Sequence, residues 1–173
     1  GLEEGVQMGP VISQKHKERI LGYIEKGVQE GAHLILDGRR IQVPGHPRGF
    51  YIGPTILDDA HPEMTIAREE IFGPVLSVVR AADFDQAIGW ANSSTYKLTG
   101  GVFSRKPSHL ERARREFRVG NLYLNRGITG AIVGRQPFGG FKMSGGCTKA
   151  GGIEYLQHFL VPRIVTENCL RRG

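Results

Sequence analysis

The sequence predicts an α/β fold built around a parallel sheet with helices on its faces. Between Pro74 and Asn125 the pattern runs strand, helix, strand, helix, strand, which is the order of crossover units in a parallel sheet. Within this region Pro74–Val79 is a continuous apolar run, typical of a strand buried on both faces. A length of 173 residues fits a single domain of roughly 100–200 residues.

The first element is a predicted amphipathic helix. Its apolar positions Ile20, Ile24 and Val28 recur every four residues. Ser13 is of the residue type that caps a helix N-terminus, and Gly31 stands where a left-handed residue ends one. We therefore expect a helix between these two residues.

Short strands are predicted after this helix. His33–Leu36 and Arg39–Val43 flank Asp37-Gly38, a dipeptide typical of hairpin turns, so these two segments predict a hairpin. After a loop rich in proline and glycine, Phe50–Leu57 predicts a further strand.

The remaining elements follow the alternation described above. Asp83 is a predicted N-cap, Pro107 suits the first turn of the next helix, and Gly120 is expected to end that helix. The two further strands are predicted at Thr99–Ser104 and Asn121–Asn125.

A glycine-rich stretch, Arg126–Gly152, shows no periodicity. The last predicted strand follows it at Phe159–Thr166 and carries Pro162, which favours an edge position because proline lacks the N–H of a ladder bond.

Composition argues against several classes of protein. The longest apolar runs are a few residues, whereas a membrane-spanning helix needs about 20. The two cysteines, Cys147 and Cys169, are too few for a disulfide framework and lack the spacing of a zinc site. We therefore expect a cytoplasmic protein with no metal centre and no membrane partner.

The net charge of +6 is the one compositional hint of an anionic partner. A nucleic-acid groove would interleave aromatic residues with the basic ones, whereas Phe117, the one Phe, Tyr or Trp within the basic cluster, belongs to the predicted apolar face of the helix with Leu110 and Ala113. We interpret that cluster as a solvated helix face and expect no nucleic-acid partner. Its members are Arg105, Lys106, Arg112, Arg114, Arg115 and Arg118.

Two long motifs carry the functional information. The first is EEIFGPV at residues 69–75, and the second covers residues 125–145 and includes QPFGGFKMSG at 136–145. Together they resemble the C-terminal half of an NAD(P)-dependent aldehyde dehydrogenase. The combination of GAIVG at 130–134, QPFGG at 136–140 and KAGG at 149–152 resembles the branch that oxidises glutamate γ-semialdehyde, the open form of Δ1-pyrroline-5-carboxylate.

The resemblance implies five site residues. Glu70 would accept hydrogen bonds from a ribose of NAD, and Phe72 would lie beside the nicotinamide ribose. The backbone N–H groups of Gly130 and Ala131 would bind the substrate carboxylate, while Phe138 would pack on its aliphatic part. Three simpler interpretations stay open: a surface or helix-capping Glu70, a Phe138 that only fills the core, and glycines that only shape turns.

The resemblance also implies a fold and a division of the chain into two parts. It predicts the parallel-sheet, three-layer catalytic (C-terminal) domain of the aldehyde dehydrogenase fold, truncated at its N-terminal side. Residues 1–158 would belong to that domain, and residues 159–173 would form an oligomerisation strand and tail of a homo-oligomer.

The nucleophilic cysteine, the water-activating glutamate, the oxyanion-binding asparagine and the dinucleotide-binding domain are expected before residue 1. No catalytic residue is therefore assigned here, and the chain alone is predicted to be inactive. Two functions follow: a fragment of an NAD-dependent enzyme that oxidises glutamate γ-semialdehyde to glutamate in proline degradation, or a non-catalytic folding and oligomerisation module.

Overall fold

The computed structural model describes residues 4–129, 131–146 and 148–170. The chain forms two compact units, Gly1–Thr95 and Tyr96–Gly173, where length alone predicted one domain. Both units contain helices and strands, so the predicted α/β class holds in each.

The described residues of the first unit, 4–95, contain three helices and a three-stranded sheet. These elements are α1 (Gln14–Gln29), β1 (His33–Leu36), β2 (Thr55–Asp58), α2 (Thr65–Arg68), β3 (Val75–Ser77) and α3 (Phe84–Ser93). The strand order is β1-β2-β3, with β1 antiparallel and β3 parallel to β2.

Helix α1 follows the prediction closely. The Ser13 hydroxyl accepts a hydrogen bond from the His16 backbone N–H at 3.2 Å, so Ser13 is the N-cap. After the helix, Gly31 has φ +104°, the left-handed conformation that glycine adopts without steric cost. The predicted start and stop signals are both confirmed.

The core of the first unit lies between α1 and β2. Ile20, Ile24 and Leu57 are fully buried. A Cβ at Gly27 would lie 2.9 Å from Ile66 and 3.0 Å from Leu57, so glycine there lets the helix approach β2 and α2 closely. Full burial of each large aliphatic side chain contributes about 1.5–3 kcal/mol. This packing sets the position of α1 against the segment that follows α2.

The predicted hairpin is wrong. Arg39–Val43 forms no strand, and β1 pairs instead with β2. The reason is a close backbone approach: Gly53 donates to the Gly38 carbonyl at 2.8 Å, and a Cβ on Gly38 would stand 2.0 Å from the Gly53 oxygen. The chain at Gly38 is therefore held against Gly53, and the predicted strand Phe50–Leu57 starts only at Thr55.

Strand β3 is shorter than predicted and is not buried on both faces. Leu76 is 57% exposed, while Val75 and Ser77 are half-buried. The predicted N-cap after it is confirmed, because Asp83 accepts a hydrogen bond from the Gln86 N–H at 2.8 Å.

In the second unit, the residues that the structure describes form one α-helix, one 3-10 helix and two short ladders. Its elements are β4 (Tyr96–Lys97), β5 (Thr99–Val102), α4 (Pro107–Glu116), β6 (Asn121–Leu124), β7 (Phe141–Lys142) and a 3-10 helix (Ile153–Phe159). β5 pairs with β6 in parallel, and β4 pairs with β7 antiparallel.

The crossover β5–α4–β6 confirms the predicted alternation in this unit. Pro107 occupies the first turn of α4, and Ala113 on its inner face is fully buried. The helix ends at Glu116, short of Gly120. The single parallel sheet predicted from Pro74 to Asn125 is wrong in its pairing, because β3 and β5 belong to separate ladders.

The C-terminal strand predicted at Phe159–Thr166 is also not formed. Phe159 is the last residue of the 3-10 helix, and residues 160–170 have no regular secondary structure. Val161 and Ile164 are more than nine-tenths exposed. High β-propensity alone does not make a strand, because a strand requires a neighbour to bond with.

Candidate functional sites in the two units

A cleft of about 410 Å³ in the first unit contains both residues predicted to bind the cofactor. It is lined by the segment that joins α2 to β3, including Glu70 and Phe72. We call residues 69–73 the cofactor segment. Phe72 is 74% exposed, and both glutamates that line the cleft, Glu69 and Glu70, are exposed as well, so the cleft presents two carboxylates and one aromatic ring.

Helix α1 holds the backbone of the cofactor segment. His16 Nε2 lies 2.8 Å from the Phe72 carbonyl oxygen, and an Arg19 guanidinium N–H donates to the Glu70 carbonyl at 3.0 Å. A Cβ on Gly73 would stand 2.6 Å from Ile20, so the segment also packs directly on the helix. The segment therefore has a defined position against a helix anchored in the core.

The backbone of Phe72 is in an uncommon conformation. Its φ of +60° lies in the left-handed region, which costs free energy for a residue other than glycine and persists only where the surroundings impose it. The ring meets the His16 ring edge-on at a centroid distance of 6.4 Å and otherwise faces outward. Phe72 is thus presented at the cleft and does not fill the core.

Glu70 is not a helix cap. The N-cap of helix α2 is Met64 and its C-cap is Glu69, so Glu70 lies one residue beyond the C-cap and occupies neither cap position. Within the described ranges, the Glu70 carboxylate forms no hydrogen bond or ion pair. A free carboxylate has two oxygens that can accept from the two hydroxyls of a ribose.

The predicted substrate residues lie in the second unit, in the glycine-rich stretch 126–152, which we call the glycine loop. Gly130 lies outside the described residues, and Ala131 is half-buried. Beyond Ala131 a tight turn is closed by a hydrogen bond from the Gln136 N–H to the Ile132 carbonyl at 2.7 Å. Gly134, at φ +76°, donates to the Gly151 carbonyl at 2.8 Å.

Phe138 is held by its backbone and keeps part of its side chain exposed. It exchanges two hydrogen bonds with Ala150, of 2.8 and 2.9 Å. The Asn121 side chain brackets it, donating to the Pro137 carbonyl and accepting from the Gly139 N–H. Since 38% of Phe138 is exposed, it is not a fully buried core residue.

Lys149 is a residue of this loop that sequence reasoning missed as an anchor. Its ammonium donates to the Gly120 carbonyl at 2.7 Å and to the Gly139 carbonyl at 2.6 Å, and it lies 5.3 Å from the centre of the Phe141 ring. Burial lowers the pKa of Lys149 below its usual value. Its position in the KAGG motif at residues 149–152 was the one sequence feature that could have indicated this role.

Asn125 and α1 supply further anchors that the motifs did not reveal. At the start of the loop the Asn125 side chain accepts from the Ser104 N–H and donates to the Ser104 carbonyl. For His16 and Arg19 the only signal was helical spacing, which places them near Ile20 on one side of α1.

The described residues contain no cluster of three His, Cys, Asp or Glu side chains able to hold a metal ion. In the same part of the chain, no helix has the length and apolar character needed to span a membrane. In α4, Arg112 pairs with Glu116 and Arg114 with Glu111, as expected of a solvated helix face.

The family model described as "Aldehyde dehydrogenase family" matches residues 1–165. Among curated relatives, the 1-pyrroline-5-carboxylate dehydrogenases of Oceanobacillus iheyensis and Geobacillus kaustophilus are each 50% identical over 165 residues, covering 95% of this chain. The chain spans only 31% of the length of either relative.

Two of the solved structures that are similar to this chain illustrate the fold. A 1-pyrroline-5-carboxylate dehydrogenase from Thermus with bound NAD has a TM-score of 0.84 at 52% identity, covering 91% of this chain and 30% of that one. Proline utilization A from Bdellovibrio bacteriovorus, inactivated by N-propargylglycine, has a TM-score of 0.84 at 51% identity, covering 96% of this chain and 17% of that one.

Proposed function

Because this chain belongs to the aldehyde dehydrogenase family, we propose that it supplies part of the cofactor and substrate sites of an NAD-dependent dehydrogenase that oxidises glutamate γ-semialdehyde to glutamate. The relatives at about 50% identity named 1-pyrroline-5-carboxylate dehydrogenase support this substrate. The chain covers about 30% of their length, so the complete reaction needs residues beyond these 173.

The carrying observation is the pair Glu70 and Phe72 in one cleft. The unengaged Glu70 carboxylate would accept hydrogen bonds from the ribose next to the nicotinamide, and the exposed Phe72 ring would pack beside that ribose. The NAD bound there would accept the hydride of the aldehyde. The role of the cofactor segment is to place a hydrogen-bond acceptor and an apolar surface at fixed positions.

The glycine loop would bind the substrate's remote carboxylate. Backbone N–H groups of Gly130 and Ala131 would converge on this anion, and Phe138 would cover the aliphatic chain. The 38% exposure of Phe138 leaves apolar surface for that contact. The simpler alternative, that the glycines only shape turns, predicts no effect on selectivity between substrates.

We further propose that these 173 residues alone do not oxidise aldehydes. The resemblance assigns the nucleophilic cysteine, the activating glutamate and the oxyanion-binding asparagine to positions before residue 1. Of the two cysteines, Cys169 is exposed in the C-terminal segment, and Cys147 lies outside the described residues. A non-catalytic folding and association module remains the second candidate function, supported by the exposed apolar segment after residue 159.

The cofactor assignment is tested in the complete natural protein that contains this chain. NADH binding is measured by fluorescence titration for the wild type, for Glu70→Gln and for Glu25→Gln, an exposed glutamate of α1 that serves as the control. Loss of a hydrogen bond to a charged group is worth about 1.5–3 kcal/mol, so Glu70→Gln should weaken binding roughly tenfold or more. Equal affinities in all three proteins would remove Glu70 from the site.

The substrate assignment is tested by Gly130→Val in the same protein. This change should raise KM for glutamate γ-semialdehyde at least about tenfold, by the same hydrogen-bond magnitude, while KM for propanal changes far less. Equal losses on both aldehydes would mean that the loop is purely structural.

We also propose that residues 159–173 join a neighbouring subunit of a cytoplasmic homo-oligomer. Phe159, Val161 and Ile164 expose large apolar side chains, and such a segment gains by adding to the sheet edge of another subunit. Light scattering of the protein with and without residues 159–173 tests this: an unchanged molecular mass would contradict it.

A further inference from the structure

Three polar residues spaced seven residues apart form a ridge along α1 and its C-cap: His16, Tyr23 and Glu30. Residues at this spacing lie on one side of a helix, about two turns from each other. Their partners, in the reverse order of the chain, are Phe72, Glu69 and Thr65. The ridge therefore runs antiparallel to the whole segment from α2 to the cofactor segment.

Tyr23 engages one of two adjacent carboxylates. Its hydroxyl donates to Glu69 Oε2 at 2.6 Å, and it accepts a longer bond of 3.4 Å from Arg19. Glu69 has extended backbone angles, φ −107° and ψ 149°, and consecutive side chains on extended backbone point to opposite sides. Both glutamates line the cleft, so a bond that engages the Glu69 side chain leaves Glu70 as the unengaged carboxylate and restrains the backbone from which it projects.

Glu30 holds the other end of α2. Its carboxylate accepts from the Thr65 N–H at 2.8 Å and from the Thr65 hydroxyl at 2.6 Å. Met64, the N-cap position of α2, provides no side-chain cap, so the carboxylate of Glu30, the C-cap residue of α1, satisfies an N–H at the start of this four-residue helix. The Thr65 hydroxyl bond is also the main cause of the lowered pKa of Glu30.

We propose that Tyr23 and Glu30 are positioning residues for the cofactor site: they hold Glu69 and Thr65 so that Glu70, and not Glu69, offers its carboxylate to the ribose. This rests on the proposed role of Glu70 in binding NAD. Neither residue touches the cofactor itself. Their effect is to remove alternative orientations of the segment before the cofactor binds, which lowers the entropy cost of binding.

The apolar packing of α1 makes this role separable from folding. Ile20 and Ile24 are fully buried, and their packing should keep the helix on the core when a hydrogen bond of the ridge is removed. Tyr23→Phe removes only one oxygen and retains the ring over which the Arg19 guanidinium lies at 5.2 Å. This variant should fold like the wild type.

The experiment uses the complete natural protein and NADH as the probe. Tyr23→Phe should weaken NADH binding and raise KM for NAD by roughly three- to tenfold, less than Glu70→Gln, because Tyr23 acts on the cofactor only through Glu69. kcat at saturating NAD and KM for the aldehyde should stay within about twofold, because the Tyr23 side chain bonds Arg19 and Glu69 and none of the residues proposed to bind the substrate. Tyr51→Phe is the matched control, since the Tyr51 hydroxyl forms no hydrogen bond within the described residues.

Two further sets of variants test the mechanism. Glu69→Gln keeps an acceptor for Tyr23 and should retain most of the NADH affinity, whereas Glu69→Ala should behave like Tyr23→Phe, and the double variant should add little to either. Glu30→Gln should also raise KM for NAD, whereas Glu25→Gln should not.

Each outcome has a definite reading. If Glu70→Gln weakens NADH binding but Tyr23→Phe and Glu30→Gln leave it unchanged, the positioning role is wrong and the cofactor assignment stands. If these two variants lower the melting temperature without affecting NADH binding, their role is structural only, and the inference is overturned. If the wild-type protein does not bind NADH, the proposed function fails, and the inference fails with it.

Discussion

The two candidate sites are held in place by different means. The cofactor segment of the first unit is fixed mainly by side chains of α1, with His16 on one carbonyl and Arg19 on another. The glycine loop of the second unit is fixed mainly by backbone contacts, where Gly120 leaves no space for a Cβ, and by side chains such as those of Lys149 and Asn121 that bond its carbonyls.

This difference predicts different responses to substitution. A site held by several side-chain hydrogen bonds should lose affinity in small steps, because each bond contributes only about 0.5–3 kcal/mol. A site held by backbone packing should fail at once when a methyl group is added, because a close-packed interior has no room to absorb it. Three substitutions and one pH series test this contrast, from the largest expected effect to the smallest.

Gly120→Ala should have the largest effect. Its Cβ would stand 1.9 Å from the Gly139 carbonyl oxygen and 2.6 Å from the Gly140 Cα, both backbone atoms that cannot rotate away. Overpacking of this kind costs about 1–3 kcal/mol or more, measured here by denaturant unfolding of the complete protein. Gly127→Ala is the control, because a Cβ there meets no atom within 4 Å. Equal unfolding free energies for the two variants would contradict backbone packing as the anchor.

Lys149→Met should be the next most damaging change. Methionine retains an apolar stem of similar length but leaves the carbonyls of Gly120 and Gly139 without their ammonium donor. The expected loss is about 1.5–3 kcal/mol of unfolding free energy, the range for charge-assisted bonds. Lys142→Met, at an exposed position of β7, should change the stability far less. A similar loss at both lysines would show that charge alone, and not the carbonyl contacts, is responsible.

Thr65→Val should have a smaller effect, and one that depends on pH in acid. The pKa of Glu30 lies below its usual value of 4.5, chiefly because the Thr65 hydroxyl bonds its ionised form. Its contribution to stability is therefore complete above pH 4.5 and is lost as the pH falls through the lower folded pKa. The melting-temperature gap between wild type and Thr65→Val should be constant near neutrality and close in acid. A gap that widens in acid would refute the sign of this linkage.

The pH dependence at Lys149 should have the same sense as that at Glu30, because both pKa values are lowered in the folded protein, but it should appear in alkali and be the smallest effect. Burial lowers the pKa of Lys149 in the folded protein, so the unfolded chain binds this proton more tightly. Its contribution to stability should therefore increase as the pH rises through the lowered folded pKa towards 10.5. The melting-temperature difference between wild type and Lys149→Met, followed from pH 7 to pH 10, measures it. A difference that shrinks with rising pH would contradict the lowered pKa.

Features that depend on neighbours in the chain were predictable. The caps at Ser13 and Asp83 and the proline at the start of α4 were found because each acts within three or four residues of itself. The two motifs also indicated the family, which the comparison confirmed over residues 1–165. Glu70 and Phe72 were selected by the first motif, and they do lie in one cleft.

The failures concern partners that lie far away in the sequence. Asp37-Gly38 predicted a hairpin, but β1 pairs with β2 because Gly38 packs against Gly53. Phe159–Thr166 has the composition of a strand but has no regular structure beyond the 3-10 helix. In both cases the residue types have high β-propensity, but propensity does not predict which segment, if any, will pair with them as a neighbouring strand.

The sequence by itself determined where helices start and stop, and which family the chain joins, because these depend on local residue types and on motifs read in order. Only the tertiary structure decided that Tyr23 meets Glu69, that Glu30 meets Thr65, and that Gly120 lies against Gly139. The two members of each pair are between 19 and 46 residues apart in the chain. Contacts at such separations form only when the packing of buried residues brings the segments together, so no local sequence pattern predicts them.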